Sequence, residues 1–240
     1  CPRRIFVIAG AAAPIGRRAF LGGLALASCA PAAHAEPATP FVIDAPDGPL
    51  RPLGGLLLDS RVFAGGGLSG LYLDSDLRLT AISDLARWVS AQLVMERERP
   101  VGVTDIRSGP LRDGAGAPLP AGGHGGDSEA LARTSDGTWL VAFERWHRIR
   151  AYRRLDGPGL FAEAPPGIDR APRNGGMESL TVLADGRWLV IAEDLAPEGQ
   201  PALRTAWLGG PGRWQALAYR PAEGFLPTDA AGLPDGGALV

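Results

Sequence analysis

Two stretches of this sequence, DSEALARTSDGTWLVAFE (Asp127–Glu144) and MESLTVLADGRWLVIAED (Met177–Asp194), share one form. Each contains a carboxylate, a short apolar run, an Asp-Gly pair, a second apolar run and a closing carboxylate. An Asp-Gly pair between two apolar runs is a strong signal for a β-hairpin with a two-residue turn. Each stretch is therefore predicted to be a pair of antiparallel strands with acidic residues at the ends away from the turn.

The same unit recurs as a degenerate copy, SGLYLDSDLRLTAISD (Ser69–Asp84), and as the start of another, TDAAGLPDGGALV (Thr228–Val240). The turn aspartates follow one another at intervals of 60, 49 and 50 residues and are Asp76, Asp136, Asp185 and Asp235. A period near 50 that is built from strand pairs is typical of a propeller with one sheet per repeat. We therefore predict an all-β fold, a β-propeller of four-stranded blades. A β-sandwich is the alternative, although its strands do not normally repeat in sequence at this period.

Composition excludes several classes of protein. The chain has 240 residues, of which 45% are hydrophobic and 21% charged, as in a globular protein with a substantial core. A net charge of -2 and the lack of a basic tract argue against nucleic-acid binding. The only cysteines, Cys1 and Cys29, lie in the N-terminal part, so the rest has no disulfide framework or thiolate metal site.

The N-terminal stretch GRRAFLGGLALASCAPAAHAEP (Gly16–Pro37) has the features of an export signal. An arginine pair precedes a short apolar run, and the Ala-His-Ala at 33–35 suits a signal peptidase. RRAFLGG resembles a twin-arginine signal. Residues 1–35 are therefore predicted to be a signal peptide and 36–240 a periplasmic or secreted domain. LASC also resembles a lipobox, so membrane attachment is expected only if Cys29 is lipidated.

The acids of the repeat are predicted to form pairs. In a symmetric hairpin about the Asp-Gly centre, Glu129 lies opposite Glu144 and Glu178 opposite Glu193; about Asp76-Leu77, Ser69 lies opposite Asp84. Side chains directly opposite one another are about 5 Å apart, where two full charges repel by roughly 3 kcal/mol. A bound Ca²⁺, a shared proton or arginine partners would offset this repulsion. Because inner strands of a propeller surround a channel, we expect a ring of carboxylates there; exposed acids paired with Arg145, Arg148 or Arg173 are the alternative.

Five blocks of the sequence resemble those of the exported phytase-like proteins described by esterase-like activity of phytase. In chain order they are GGLSGLYLD (66–74), ISD (82–84), the stretch 127–144, RNGGMESLTVLADGRWLVIAED (173–194) and PTDAAGLPDGGALV (227–240). The pattern departs from the family where Ala130 and Ser179 replace glycine. The sequence ends at Val240 inside a predicted blade strand, so we interpret the propeller as incomplete and truncated at its C-terminus.

This resemblance implies a propeller hydrolase that acts on a small-molecule ester or phosphoester, with Ca²⁺ as its cofactor. It makes five acids candidate metal ligands: Asp84, Glu129, Glu144, Glu178 and Glu193. Among them, Glu129 and Glu178 are the candidate catalytic residues. The substrate-binding candidates are Arg145, Arg173 and Asn174, and Ser69 and Asp229 are weaker site candidates.

Two other functions remain open. A serine esterase is disfavoured because GLSGL has Leu71 where G-x-S-x-G requires glycine, and no spacing ties His124 or His147 to a serine. The second is a propeller without catalytic activity that binds a ligand or a protein, with structural Ca²⁺. Two further expectations concern structure alone: Trp139 and Trp188 are predicted core residues, and 97–126 a long loop or a poorly ordered insertion.

Overall fold

The computed structural model of this chain describes residues 3–10, 36–43, 50–65 and 67–240. The arginine pair at 17 and 18, Cys29 and the Ala-His-Ala at 33–35, on which the predicted signal peptide depends, lie outside these ranges. Among the described residues, no helix combines the length and the apolar character that crossing a membrane requires.

Three four-stranded antiparallel sheets make up most of the fold, and each follows the chain order from its first to its last strand. The first contains β4 (Leu68–Leu73), β5 (Arg78–Ser83), β6 (Arg87–Glu96) and β7 (Arg99–Pro110). The second contains β8 (Ser128–Arg133), β9 (Trp139–Phe143), β10 (Arg148–Tyr152) and β11 (Gly159–Glu163). The third contains β12 (Met177–Val182), β13 (Trp188–Ala192), β14 (Arg204–Gly209) and β15 (Gln215–Tyr219). We call these three sheets blades 1, 2 and 3.

Short elements complete the described chain. A three-stranded sheet at the N-terminal side contains β1 (Arg3–Gly10), β2 (Ala38–Phe41) and β3 (Leu50–Leu58), with β1 parallel and β2 antiparallel to β3. The two-stranded sheet of β16 (Ala231–Gly232) and β17 (Ala238–Leu239) follows blade 3. The helical segments are α1 (Gly123–Gly126) and a 3₁₀ turn at Ile168–Arg170. The described residues form no closed ring of sheets.

The first strands of successive sheets lie side by side, β4 against β8, β8 against β12 and β12 against β16. Gly70 of β4 permits the close approach to β8, because a Cβ there would lie 2.7 Å from the Leu131 amide nitrogen of β8. Apolar side chains fill the spaces between neighbouring blades: Ile82, Leu131 and Phe143 between blades 1 and 2, and Leu140, Met177 and Trp207 between blades 2 and 3. Four-stranded blades with their first strands around one axis confirm the predicted β-propeller architecture.

The hairpin turns differ from the prediction by one residue. In each of the four turns the aspartate is the middle of a three-residue loop, and the residue after it has a positive φ: Leu77, Gly137, Gly186 and Gly236. Thr134, for example, donates its amide to the Thr138 carbonyl at 2.9 Å, and Gly137 donates to Thr134 at 3.0 Å. The predicted two-residue Asp-Gly turn is therefore wrong, since the hairpin centre is the aspartate itself.

The segment 97–126 is ordered, so its prediction as a loop or poorly ordered insertion is wrong. It begins with the 12-residue strand β7 and continues through a bridge between Arg112 and Pro118. Tyr152 Oη donates to the Arg112 carbonyl at 2.9 Å and fixes this segment to blade 2. The predicted core roles of Trp139 and Trp188 are confirmed, since each packs edge-to-face against another aromatic ring in the core clusters.

Candidate acidic cation site

A β-bulge interrupts the first strand of each blade at the same position. The strand register shifts by one residue at Ser69 in β4, at Glu129 in β8 and at Glu178 in β12. A bulge leaves one residue without a cross-strand partner and redirects its side chain. The predicted direct pairs Glu129–Glu144, Glu178–Glu193 and Ser69–Asp84 are therefore wrong, because the turn geometry and the bulge both move the register.

The residue opposite the closing acid of each hairpin lies two positions before the bulge residue. The Glu144 amide donates to the Asp127 carbonyl at 2.9 Å, the Asp84 amide to Gly67 at 3.0 Å and the Glu193 amide to Gly176 at 2.8 Å. Blades 1 and 3 have glycine at this position, whereas blade 2 has a third carboxylate, Asp127. The bulge residue and the closing acid of each blade still meet at the same end of the propeller axis.

A cavity of about 560 Å³ opens at that end of the axis. It is lined by residues from all three blades and from the loop before β16: Gly67, Leu68, Ser69, Asp84, Asp127, Glu129, Glu144, Arg145, Asn174, Glu178 and Thr228. Five of these eleven residues carry carboxylates, and one carries a positive charge. The cavity is therefore strongly acidic.

Two carboxylate triads share Glu144. One consists of Asp127, Glu129 and Glu144 and the other of Glu144, Glu178 and Glu193, and in each the three nearest oxygens lie within 4.8 Å of one another. The structure thus brings together four of the five predicted acids. Asp84 lines the same cavity from blade 1 but belongs to neither triad.

Glu144 is held in place by two backbone amides. Its Oε1 accepts hydrogen bonds from Gly175 at 2.6 Å and from Gly176 at 2.7 Å, and only 4% of the residue is exposed. Two amide donors on one oxygen fix the orientation of the carboxylate. Glu144 is therefore a fixed acceptor at the junction of the two triads.

The bulge glutamates have strongly raised pKa values. Burial, reinforced by the charges of Glu178, Asp127 and Glu144, raises the pKa of Glu129 to about 8. Burial and the charges of Glu193, Glu144 and Asp127 raise the pKa of Glu178 to about 7. Without a cation, these carboxyls hold protons at pH values where an exposed glutamate is ionised.

The outer acids of the site follow the same trend. The pKa of Asp84 is raised by burial and then by the charge of Asp127. The pKa of Glu193 is raised by burial and by the charges of Glu144 and Asp194, against the lowering effect of Arg204. All four shifts have the direction expected where acids crowd together in a partly dry site.

One arginine enters the acidic cavity. Arg145 Nε lies 2.5 Å from Asp127 Oδ2, a contact that is an ion pair and not a hydrogen bond. Arg145 has a left-handed backbone with φ 60°, and its amide donates to the Arg173 carbonyl at 3.2 Å. A non-glycine residue in this conformation costs about 1 kcal/mol or more, so the surrounding contacts must hold it there.

The other predicted substrate-binding residues have different positions. Asn174 lines the cavity, whereas Arg173 is exposed and its side chain is not part of the lining. Arg148 makes no carboxylate pair among the described residues; its guanidinium bonds to the carbonyls of Trp146 and Gly125. Asp229 is exposed outside the cavity lining, and the Ala230 amide donates to its carboxylate at 2.8 Å.

The serines near the site link the blades. Ser69 Oγ donates to the Ser128 carbonyl at 2.5 Å, and Ser128 Oγ donates to the Ser83 carbonyl at 2.6 Å. His147 Nε2 contacts the Pro172 carbonyl instead, at 3.1 Å. In the part of the chain that the structure describes, no serine forms the hydrogen bond to histidine that an activated nucleophile requires.

The family of this chain follows from a comparison of its sequence with the patterns of known families. The pattern of the phytase-like family, described as esterase-like activity of phytase, matches residues 64–240, well over half of the chain. The chain belongs to the phytase-like family. The match confirms the resemblance carried by the five sequence blocks and includes every acid of the two triads.

Solved structures similar to this phytase-like chain include two of virginiamycin B lyase from Staphylococcus aureus, one of them catalytically inactive and with quinupristin. At 10% and 8% identity they cover 69% and 66% of the chain and 45% and 57% of the lyase chains, with TM-scores of 0.39 and 0.38. The WD40 repeats of RRP9 match at 10% identity over 72% of this chain and 50% of that chain, with a TM-score of 0.36. The phytase-like chain spans about half the length of these structures. With TM-scores this low, no function is inferred from them. The comparison with curated proteins found no match.

The donor set of the phytase-like site fits a hard cation. All of its ligand atoms are carboxylate oxygens, which Ca²⁺ prefers, and neither triad contains a sulfur or imidazole donor. Two oxygens that contact one Ca²⁺ at about 2.3–2.6 Å can lie at most about 5 Å apart, as the triad oxygens do.

Asp127 is the site residue that sequence reasoning missed. It begins the repeat DSEALARTSDGTWLVAFE, but pairing the acids about Asp-Gly assigned Glu129 to Glu144 and left Asp127 without a role. A signal was present, because Asp127 occupies the place where the neighbouring blades have Gly67 and Gly176. A carboxylate that replaces glycine at the channel end of a strand is a candidate ligand.

Proposed function

We propose that this phytase-like chain hydrolyses phosphate esters or other small-molecule esters, with Ca²⁺ held by the two carboxylate triads. The observation that carries the proposal is that Glu144 belongs to both triads at the bottom of one open cavity. Five acids crowded in this way, with raised pKa values at Glu129 and Glu178, favour either a bound proton or a bound cation. At the Ca²⁺ concentrations found outside cells, the cation is the stronger competitor.

The carboxylates are assigned two proposed roles, metal ligand and catalytic residue. Asp127, Glu144 and Glu193 are the fixed ligands, of which Glu144 is already oriented by the Gly175 and Gly176 amides. A bound Ca²⁺ would supply positive charge that polarises the ester oxygen and acidifies a water molecule. Asp84 faces the same cavity and would add a further oxygen ligand directly or through water.

Glu129 and Glu178 are the proposed catalytic residues. Both are half-buried bulge residues that line the cavity, so each can reach a water molecule or a substrate oxygen there. A carboxylate within reach of a water molecule can accept its proton as a general base and return it later. One of them takes the proton of the attacking water, and the proton then passes to the leaving alkoxide.

The substrate would be oriented by Arg145 and Asn174, which line the cavity on the side of blades 2 and 3. The planar guanidinium of Arg145 can hold two oxygens of a phosphate or carboxylate group. Its contact with Asp127 keeps it beside the triad. Arg173 is exposed outside the cavity lining, so we assign it no contact with the substrate.

Export is a separate part of the proposal and is supported by the leader sequence alone. The arginine pair, the short apolar run and the Ala-His-Ala indicate transport out of the cytoplasm. Intact mass of the exported protein would distinguish cleavage after Ala35 from acylation at Cys29. A cytoplasmic protein with an intact leader would contradict this part.

Turnover of p-nitrophenyl phosphate and p-nitrophenyl butyrate by the full chain, with Ca²⁺ or with EDTA, tests the proposed hydrolase. We expect Ca²⁺-dependent release of nitrophenol, and a loss of at least about tenfold in Glu129→Gln or Glu178→Gln with the thermal melt retained. Glu198→Gln, a change at an exposed loop residue outside the cavity, is the matched control and should keep full activity. A melt that rises with Ca²⁺ without turnover of either ester would contradict catalysis and favour a binding propeller with structural Ca²⁺.

A further inference from the structure

A large aromatic side chain is exposed directly after a residue that lines the acidic cavity. Trp146 is 55% exposed and directly follows Arg145, which lines the cavity. Its amide donates to the carbonyl of Glu144 at 2.6 Å, so its backbone is fixed two residues from the carboxylate shared by the triads.

The indole of Trp146 rests on a rigid base. The Arg148 guanidinium lies 4.5 Å from the centroid of the Trp146 ring and 4.1 Å from that of Phe143. Arg148 is buried and donates to the Trp146 carbonyl at 2.8 Å and to the Gly125 carbonyl at 2.6 Å. Cation–π contacts of this kind fix the ring without covering its outer edge.

A second ring extends the exposed surface. The His124 imidazole lies 6.4 Å from the Trp146 ring, centroid to centroid, with only 10° between the two planes. His124 is exposed and comes three residues before Asp127 of the first triad. Two nearly parallel rings therefore lie within a few residues, along the chain, of Asp127 and Arg145, which line the cavity.

We propose that Trp146 and His124 form a subsite for a planar aromatic ring carried by the ester, so that aryl esters bind better than alkyl esters. An ester whose phosphate or carboxylate group lies at Arg145 would extend its substituent past the neighbouring Trp146. Stacked and edge-to-face aromatic contacts are favourable at centroid distances of about 4.5–7 Å. Because Arg148 already orders the indole, binding costs little side-chain entropy. The ester group at Arg145 comes from the proposed function, whereas the affinity for a ring does not depend on turnover.

Calorimetric titration with two phosphonates, whose phosphorus–carbon bond resists hydrolysis, separates ring binding from catalysis. The full chain is titrated in millimolar Ca²⁺ with phenylphosphonate and with methylphosphonate. We expect phenylphosphonate to bind about five- to tenfold more tightly. Trp146→Ala should reduce this ratio to near one, and Trp146→Phe should retain most of it. Phe161→Ala, at an exposed aromatic residue on the outer strand of the same blade, is the matched control and should leave the ratio unchanged.

Each result decides for or against the subsite. The subsite is overturned by any of three results: an affinity ratio that is unchanged in folded Trp146→Ala, a ratio near one in the wild type, or no binding of either phosphonate. Ring-dependent binding by a protein that turns over no ester supports the subsite and overturns only the hydrolase. Turnover of nitrophenyl esters together with an unchanged ratio in Trp146→Ala supports the hydrolase and overturns only the subsite.

Discussion

Asp127 stands opposite Glu144, whose amide donates to the Asp127 carbonyl oxygen at 2.9 Å, while Glu129 is displaced into a bulge beside them. This arrangement puts three carboxylates where a regular hairpin would put two. The repulsion among them is offset in part by the ion pair of Asp127 with Arg145 and by the two amides that bond Glu144. The repulsion that these contacts leave uncompensated favours a bound proton or a bound cation at the site.

Replacing Glu144 separates its charge from its hydrogen bonds. Glu144→Gln keeps an oxygen for the Gly175 and Gly176 amides, so the free energy of unfolding should change by less than about 1 kcal/mol. Glu144→Ala leaves both buried amides without an acceptor and should cost about 3 kcal/mol. Urea denaturation in EDTA measures both, and equal losses in the two variants would contradict the assigned role of the oxygen.

Stability without metal should fall as the pH rises. The pKa values of Glu129 and Glu178 are about 8 and about 7 in the folded chain, above the ordinary value of 4.5, so the folded state holds protons that the unfolded state has released. This stabilisation is complete below about pH 4.5 and is lost as the pH passes through 7 and 8. Thermal melts in EDTA should therefore shift downward from pH 5 to pH 8.

Two further melts isolate the cause of that shift. Glu129→Gln should flatten the dependence, because the amide replaces a carboxyl that titrates in this window. Millimolar Ca²⁺ should raise the melting temperature more at pH 8 than at pH 5, since metal binding requires ionised ligands. A melting temperature in EDTA that rises between pH 5 and pH 8 would refute this account.

The close approach of blades 1 and 2 is sensitive to a single methyl group. A Cβ at Gly70 would lie 2.7 Å from the Leu131 amide nitrogen, a backbone atom that cannot rotate away. Gly70→Ala should therefore destabilise the chain by about 1–3 kcal/mol. Gly102→Ala, at a strand glycine with no atom within 4 Å of its added Cβ, is the control and should change stability little. Equal effects in denaturant titrations would argue against this packing.

The two candidate substrate arginines should differ in their effects. Arg145→Gln removes the positive charge beside Asp127, so Ca²⁺ should bind about fivefold more tightly, an effect of about 1 kcal/mol. The same change should raise the KM for the phosphate ester, because an oxyanion partner is lost. Arg173→Gln, at an exposed residue outside the cavity lining, should alter neither value. If both variants behave alike, the selection of Arg145 is wrong.

The blade repeat could be predicted from the sequence because its signals are local. Asp136 and Asp185 mark equivalent turns, and the apolar runs around them have lengths that suit strands. The end of each hairpin that carries the acids was also predictable, and so was their convergence at the propeller axis. The turns and strands depend on residues a few positions apart, and the convergence follows from their repeat at a period near 50.

The register at the acids could not be predicted in the same way. Whether a turn has two or three loop residues depends on the φ of the aspartate itself, which a two-residue type I′ turn requires to be positive. None of the four turn aspartates has a positive φ, and the sequence does not show this. The bulges at Glu129 and Glu178 each insert one residue into a first strand, and the apolar pattern of these strands does not mark the insertion. Because the turn and the bulge both move the register, the pairing of Asp127 with Glu144 was visible only in three dimensions.

The carboxylates gathered around Glu144 are expected to bind a cation. This is tested by calorimetric titration of Ca²⁺ into metal-free protein at pH 8, for the wild type, for Glu144→Gln and for the exposed-loop control Glu198→Gln. We expect Ca²⁺ binding by the wild type and by Glu198→Gln, and a loss of at least about tenfold in affinity in folded Glu144→Gln. Binding that Glu144→Gln leaves unchanged, or no binding by the wild type, would contradict it.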